Sequence, residues 1–499
     1  MSTWLSKSER GRTDAAHRVA FESPIPTQVV SNGEYNPPPQ TAQQRQVEAA
    51  LAAAADAEAK RQGVERRQFL RSTAGMAAAF AAMNQVYGPI FRVGKAEAAD
   101  ADFCTARSER LAGQFIFDVQ THFLHDDFDF KRMLFTRRAA HSWCSSVPVS
   151  NDFALYQFEN YLQEVFLDSD TDIALLSGAP SETKGREALS NAAMARAREL
   201  INAHAGSKRL FSHAMMQPTP GSTRWLDDID EAIEVHKPDS WKGYTIGDPL
   251  TLKPSAPWRL DDEKLVYPFY EKAMRSGIRT ICVHKGLVPG DVALHQPEAW
   301  TAASVVDVGK AAQDWPDLNF VIYHAGLQAG VIETQQAAMR FEKSGYIPWV
   351  TDLAEIPAKF AVSNVYAEIG TSFGSTVVAY PRLAAAMLGR LIQGMGVDHV
   401  LWGTDSVFYG SPQWQIEALR RLEIPDDLMQ SQGLAPLGAE PDSPVKNAIF
   451  GLNAARLYGL EDAAKRRPFD ADAVSAIKAD YKAGGGMRSN LRYGFVHRA

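Results

Sequence analysis

The stretch Phe115-Ile116-Phe117-Asp118-Val119-Gln120-Thr121-His122 decides how the rest of the chain is read. An apolar run rich in β-formers ends in polar side chains at every second position, which predicts Asp118, Gln120 and His122 on one face of one strand. Three later stretches have the same form. Thr280-Ile281-Cys282-Val283-His284, Phe320-Val321-Ile322-Tyr323-His324 and Val400-Leu401-Trp402-Gly403-Thr404-Asp405 each run apolar and stop on a metal-competent residue. In a parallel αβ barrel all strand C-termini lie on one face, so residues far apart in sequence converge on one pocket.

The segments between these stretches supply the remaining strands. Asp172 to Leu176, Arg209 to Met215, Asp239 to Tyr244 and Asn364 to Ile369 read as the second, third, fourth and seventh, with Asp239 to Tyr244 carrying the weakest pattern. Helical patterns separate most of them, around Gly185 to Asn202, Trp225 to Lys237, Asp261 to Ser276, Ala302 to Trp315 and Pro381 to Gln393. Strand candidates alternating with helices predict an α/β chain folded as a (β/α)8 TIM barrel. A doubly wound open sheet would not gather the first, fifth, sixth and eighth strand ends as naturally. The segment Asp126 to Gln163, with Trp143, Phe153, Tyr156 and Phe158, reads as an aromatic excursion over the barrel mouth.

With 499 residues, 45% hydrophobic, the chain can bury at least one large core. A formal charge of -7 and the lack of a basic block interleaved with aromatics give no case for nucleic acid as a partner. Three cysteines do not make a disulfide scaffold. Cys282 reads as a small core residue, and a Cys104–Cys144 bridge is conceivable only in an exported chain.

Three regions are expected: an extension over 1–98, the barrel over 99–467 and a tail over 468–499. The first 42 residues are polar and Pro-rich and read as disordered. Thr41 to Gln62 favours a helix with little apolar face to pack. The run Glu65-Arg66-Arg67-Gln68-Phe69-Leu70-Arg71, the moderately apolar Ser72 to Ala82 and the small-residue site Ala96-Glu97-Ala98 resemble a twin-arginine export signal. That resemblance implies the twin-arginine machinery as a partner, a periplasmic or secreted location, and a mature chain beginning near Ala99. The apolar run is too short and Ala-rich for a stable membrane anchor.

The polar strand ends Asp118 to His122, Val283-His284, Tyr323-His324-Ala325-Gly326 and Leu401 to Asp405 resemble the metal-site strands of the amidohydrolase superfamily. Lys446 to Gly459 resembles that superfamily's closing helix, and the amidohydrolase-related branch of hydrolases and decarboxylases is the most similar. The resemblance implies one divalent metal ion, usually zinc, held by Gln120, His122, His284 and Asp405, with His324 as the acid/base. Imidazole and carboxylate donors suit zinc, and a nearby histidine can move a proton near neutral pH.

Gln120 stands where the family has histidine, and a neutral amide is a poorer zinc ligand. Three explanations stay open: a weaker His-His-Asp site, a harder metal such as manganese, or a barrel that has lost its metal. His125 would substitute as a ligand only if the strand bends, and otherwise reads as a loop residue. Lys242 is read as salt-bridged or solvent-facing, the other readings being a carboxylated metal bridge or a substrate contact. Glu368 and Arg259 are read equally as substrate contacts or members of ordinary ion pairs.

The expected function is metal-dependent hydrolysis of a small organic substrate, with Asp405 or His324 taking the proton. The alternatives are decarboxylation on the same barrel, or an exported binding protein without catalysis. Oligomeric state is not legible.

Overall fold

The structure, a computed structural model, describes residues 13–14, 23–27, 40–94, 96–97, 99–128, 154–181, 187–247, 256–288, 292–330, 333–486 and 496–497. Eight parallel strands follow one another around a sheet in chain order: β1 Phe117–Thr121, β2 Ile173–Leu176, β3 Leu210–Met216, β4 Ser240–Tyr244, β5 Thr280–His284, β6 Asn319–Tyr323, β7 Val365–Glu368 and β8 Val400–Leu401. The ladder closes on itself. Val119 N–H donates to the Trp402 carbonyl at 3.0 Å, Asp405 N–H to Gln120 at 2.9 Å and Val407 N–H to His122 at 3.1 Å, so β1 meets the chain running on from β8. The expected TIM barrel is what forms, including its weakest strand, β4.

Two strands depart from the expected pattern where chemistry sits. The β1–β2 register shifts between Asp118 and Thr121, a bulge that re-aims the side chains of β1. The eighth strand keeps ladder geometry only over Val400–Leu401, because the chain turns toward β1 and reaches Asp405 with φ +61°.

Inside the barrel, Phe117, Val119, Leu175, Phe211, Cys282, Val321 and Tyr323 form an apolar floor with Ala454, Ala455 and Phe469 from the C-terminal segment. Cys282 is buried there, as its sequence context predicts. The tail docks through 468–483: Phe469 stacks on Phe115 at 5.7 Å, and the buried Arg209 guanidinium bonds Asp472 at 2.6 Å.

The N-terminal region is more tightly packed than its composition suggests. Helices α1 Ala42–Gln62, α2 Arg66–Leu70 and α3 Thr73–Tyr87 are followed by α4 Ala101–Leu111. A Thr41–Gln44 capping box starts α1, and Gly63 in the left-handed conformation ends it. Contrary to the expected weak apolar face, α1 buries Val47, Leu51, Ala55 and Ala59 at four-residue spacing. The Ala-rich α3 makes this sufficient, since small side chains on both helices let them approach closely. Gly75 is required at the tight turn from α2 into α3, because a Cβ there would lie 2.4 Å from the Phe69 carbonyl.

This layer is continuous with the barrel core. Phe91 pairs with Leu422, Arg92 N–H donates to the Arg421 carbonyl at 2.7 Å, and Glu423 N–H to Ile90 at 2.8 Å. Glu97 accepts from Arg107 at 3.1 Å and Arg421 at 2.5 Å, and Arg107 also bonds Glu417 at 2.9 Å, with Glu97, Glu417 and Arg421 buried. Arg66 of the arginine pair bonds Asp56 at 3.0 Å, while Phe69 and Leu70 are buried. No helix among the described residues is long and apolar enough to cross a membrane.

Candidate active site

The bulged end of β1, the ends of β5 and β6, and the turns after β7 and β8 meet at one mouth. Asp405 is the hub. Its Oδ1 lies 3.0 Å from His122 Nε2 and accepts from Gln120 Nε2 at 2.9 Å, and its Oδ2 accepts from Thr371 Oγ1. Burial pushes the Asp405 carboxyl up, but the hydrogen bonds from His122 and Thr371 and the charges of His122 and His324 outweigh it and hold it below the ordinary carboxylate range.

A second pair stands beside the hub. His324 Nδ1 lies 2.8 Å from the Gly370 carbonyl and Nε2 lies 2.9 Å from His284 Nδ1. A carbonyl only accepts, so His324 carries its proton on Nδ1 and its Nε2 accepts from His284 Nδ1–H. His284 Nε2 is thereby left with a lone pair. Burial lowers the His324 imidazole to about 4, and burial, followed by the neighbouring His324 and Lys242, lowers His284 well below the ordinary range. Both rings are neutral near pH 7.

The donor set suits a cation in part. Gln120 Oε1 is buried without a hydrogen-bond partner, and His122 and Asp405 are in contact beside it. The His284 lone pair adds an imidazole donor. Among the described residues, however, no three His, Cys, Asp or Glu side chains already form a metal-holding group. The structure thus brings His122 to Asp405 and His284 to His324, with Gln120 bonded to the first pair through its amide nitrogen.

Other residues named from the sequence fall into place around this core. Asp118 is fully buried and is taken up by hydrogen bonds within the barrel wall. It accepts from Gln120 N–H at 3.1 Å, and from Thr404 N–H at 3.1 Å and Oγ1 at 2.5 Å, tying β1 to the β8 turn. His125 is a loop residue, 2.5 Å from Asp127 and 3.0 Å from the Glu187 carbonyl. Arg259 forms an ordinary pair with Asp261 at 2.7 Å. Among the described residues Glu368 is in no ion pair, but it accepts from His324 N–H at 3.1 Å and Gly370 N–H at 2.5 Å, and burial pushes it up to about 8. Lys242 is neither salt-bridged nor solvent-facing: it is fully buried, and among the described residues its Nζ has no hydrogen-bond partner. Of the aromatic excursion, Tyr156 reaches Phe408 at 6.0 Å and Phe408 reaches the His122 ring at 5.5 Å. Trp143, Cys144 and Phe153 lie outside the described residues, as does the Cys104–Cys144 pairing.

Thr371 and Gly370 hold Asp405 and His324 in the candidate site, and the sequence reading missed both. Their signal was present, since Glu368-Ile369-Gly370-Thr371 is another apolar strand ending in polar groups. His324, Ala325, Thr371 and Asp405 all adopt positive φ, between +49° and +63°. Such backbone gathers where a site needs side chains aimed against local preference.

Among curated proteins, none matches the chain. Solved structures that resemble it include 2,6-dihydroxybenzoate decarboxylase from Rhizobium, at 14% identity, covering 70% of this chain and 99% of that one with a TM-score of 0.39. A 5-carboxyvanillate decarboxylase of Novosphingobium aromaticivorans, complexed with manganese, is 13% identical, covering 70% and 97% with a TM-score of 0.40. A putative 2-pyrone-4,6-dicarboxylic acid hydrolase of Pseudomonas putida is 12% identical, covering 70% and 98% with a TM-score of 0.35. Likeness at this level assigns no reaction. The stretch that carries β4 to β8, with His284, His324 and Asp405, is the more specific finding: residues 236–460 match the amidohydrolase family.

Proposed function

We propose that the chain is an amidohydrolase-type enzyme that acts on a small organic substrate at the mouth of the barrel. The observation that carries this reading is the pair of neutral imidazoles, His324 oriented by the Gly370 carbonyl and bonded to His284, beside the ionised Asp405.

His122, His284, Asp405 and the unpartnered oxygen of Gln120 would hold a divalent ion, zinc or manganese, which when bound supplies Lewis acidity. The chain's own groups handle the proton. Gly370 fixes the His324 tautomer, so Nε2 is the atom that takes or returns a proton, and His284 Nδ1–H keeps that ring in place. Asp405, held by Thr371 and Gln120, accepts a proton from water in hydrolysis. Decarboxylation uses the same groups in the other sense: His324 Nε2 first takes a proton from solvent and then delivers it to the carbon that loses carbon dioxide.

The test is elemental analysis of the full chain together with turnover of esters, amides, lactones and aromatic carboxylic acids. Near-stoichiometric zinc or manganese that His122→Ala loses, with turnover that His324→Ala abolishes, is expected. Turnover retained in both His324→Ala and Asp405→Asn would overturn the reading.

A further inference from the structure

Lys242 and Glu368 are both fully buried beside the site, and among the described residues neither is in an ion pair. Lys242 Nζ faces rings, 3.4 Å from the centroid of Tyr323 and 5.0 Å from that of Tyr244. Glu368 faces main chain instead. Its Oε2 accepts from His324 N–H at 3.1 Å and its Oε1 from Gly370 N–H at 2.5 Å. Burying a carboxylate without a cation is costly, and these two bonds offset only part of that cost.

The two N–H groups belong to one closed circuit. The Gly370 carbonyl lies 2.8 Å from His324 Nδ1 and also accepts from Ser372 N–H at 2.6 Å. Glu368 therefore grips the backbone of His324 and the residue whose carbonyl orients the His324 ring. That backbone is not in a conformation it prefers: φ is +63° at His324 and +49° at Ala325, a region disfavoured by a Cβ. Room has been left for the carboxylate as well. A Cβ on Gly403 would overlap Glu368 Oε1, and one on Gly370 would lie 2.5 Å from the same atom. A single turn N–H needs one acceptor, such as a serine hydroxyl. Two acceptors at carboxylate spacing serve two donors that must be held in register across β6 and β7.

We propose that Glu368 is the positioning residue for His324: by holding the His324 and Gly370 N–H groups on one carboxylate, it fixes the tautomer and the aim of the His324 ring. It acts through His324 and needs no contact with substrate. An amide cannot replace it, because glutamine has one accepting oxygen and would turn its NH2 toward the second N–H. The proposal rests on the reading of His324 as the group that moves the proton, and it adds what keeps that ring in place.

The test is nuclear magnetic resonance of the full-length chain, with neither metal nor substrate added. The sequence has two Ile-Gly pairs, Ile246-Gly247 and Ile369-Gly370, so labelling isoleucine carbonyls and glycine nitrogens isolates the Gly370 amide beside one reference. In the wild type the Gly370 proton should lie well downfield of that of Gly247, whose N–H donates to the Tyr244 carbonyl at 3.0 Å. The His324 ring, identified by its loss in His324→Gln, should carry its proton on Nδ1 alone. In Glu368→Gln the Gly370 proton should move upfield and His324 should show both tautomers, with the fold intact by circular dichroism. For any ester, amide, lactone or carboxylic acid that the wild type turns over, kcat should fall about 10- to 100-fold with KM little changed, the size expected for a misplaced catalytic group. A Glu368→Gln protein that melts lower but keeps His324 on Nδ1 alone would make Glu368 merely stabilising and overturn the proposal. The wild-type spectrum decides even if that variant does not fold: a Gly370 proton beside that of Gly247, or a His324 proton on Nε2, would also overturn it. The expected spectra from a wild type that turns over none of these compounds would sink the enzymatic reading instead.

Discussion

Replacing Phe80 by alanine tests whether α3 is part of the folded protein. Phe80 is fully buried, its ring 4.9 Å from Phe91 and its face 5.5 Å from the Arg421 guanidinium. Truncating a buried phenylalanine costs about 3–5 kcal/mol through lost transfer energy and the cavity left behind. Here the cavity would open between α3 and the segment that pairs Phe91 with Leu422, so little of it can close by helix movement. The assay is urea unfolding followed by tryptophan fluorescence, on protein whose intact mass shows that residues 42–97 are present. A clearly lower midpoint than wild type is expected. An unchanged midpoint would refute the assignment of α3 to the core.

Three further outcomes are expected. Burial raises the Glu417 carboxyl, but Arg107, Arg421 and Arg420 outweigh it and hold it below its ordinary value of 4.5. A group depressed in the folded state contributes stability above its unfolded pKa and loses it as pH falls. Proteolytic cleavage within 42–97 should therefore rise below about pH 4, and Glu417→Gln should flatten that dependence while lowering stability at pH 7. Thr371→Val removes a donor to Asp405 and should weaken manganese binding about 10- to 100-fold by calorimetry, with the fold intact by circular dichroism. Gly403→Ala places a Cβ 1.8 Å from Glu368 Oε1, so soluble yield and melting temperature should both fall.

The barrel was legible because each strand ends in a change from apolar to polar residues, and a strand too weak to read alone, β4, is fixed by neighbours on both sides. His122, His284, His324 and Asp405 were legible for the same reason. What the pattern could not carry was direction. Period-two alternation put Asp118 beside Gln120, but the bulge between Asp118 and Thr121 breaks that alternation, and a bulge leaves no residue signature here. Lys242 was read as a surface or paired lysine because most lysines are, and only three-dimensional packing shows an amine facing two rings. The close packing of α1 was also hidden, since an Ala-rich helix looks featureless until the partner that accommodates it is known.

The docking of α3 against the 414–424 region also constrains synthesis. A ribosome adds about 5–20 residues per second, so α3 emerges roughly 15–65 s before the surface that covers it has been made. Throughout that interval Phe69, Leu70, Met76, Phe80 and Met83, all buried in the finished protein, have no barrel to pack on. The nascent chain therefore presents a short apolar helix next to paired arginines for longer than most domains take to fold. Any factor that recognises such a segment has its opportunity then, and loses it when Phe91 finds Leu422.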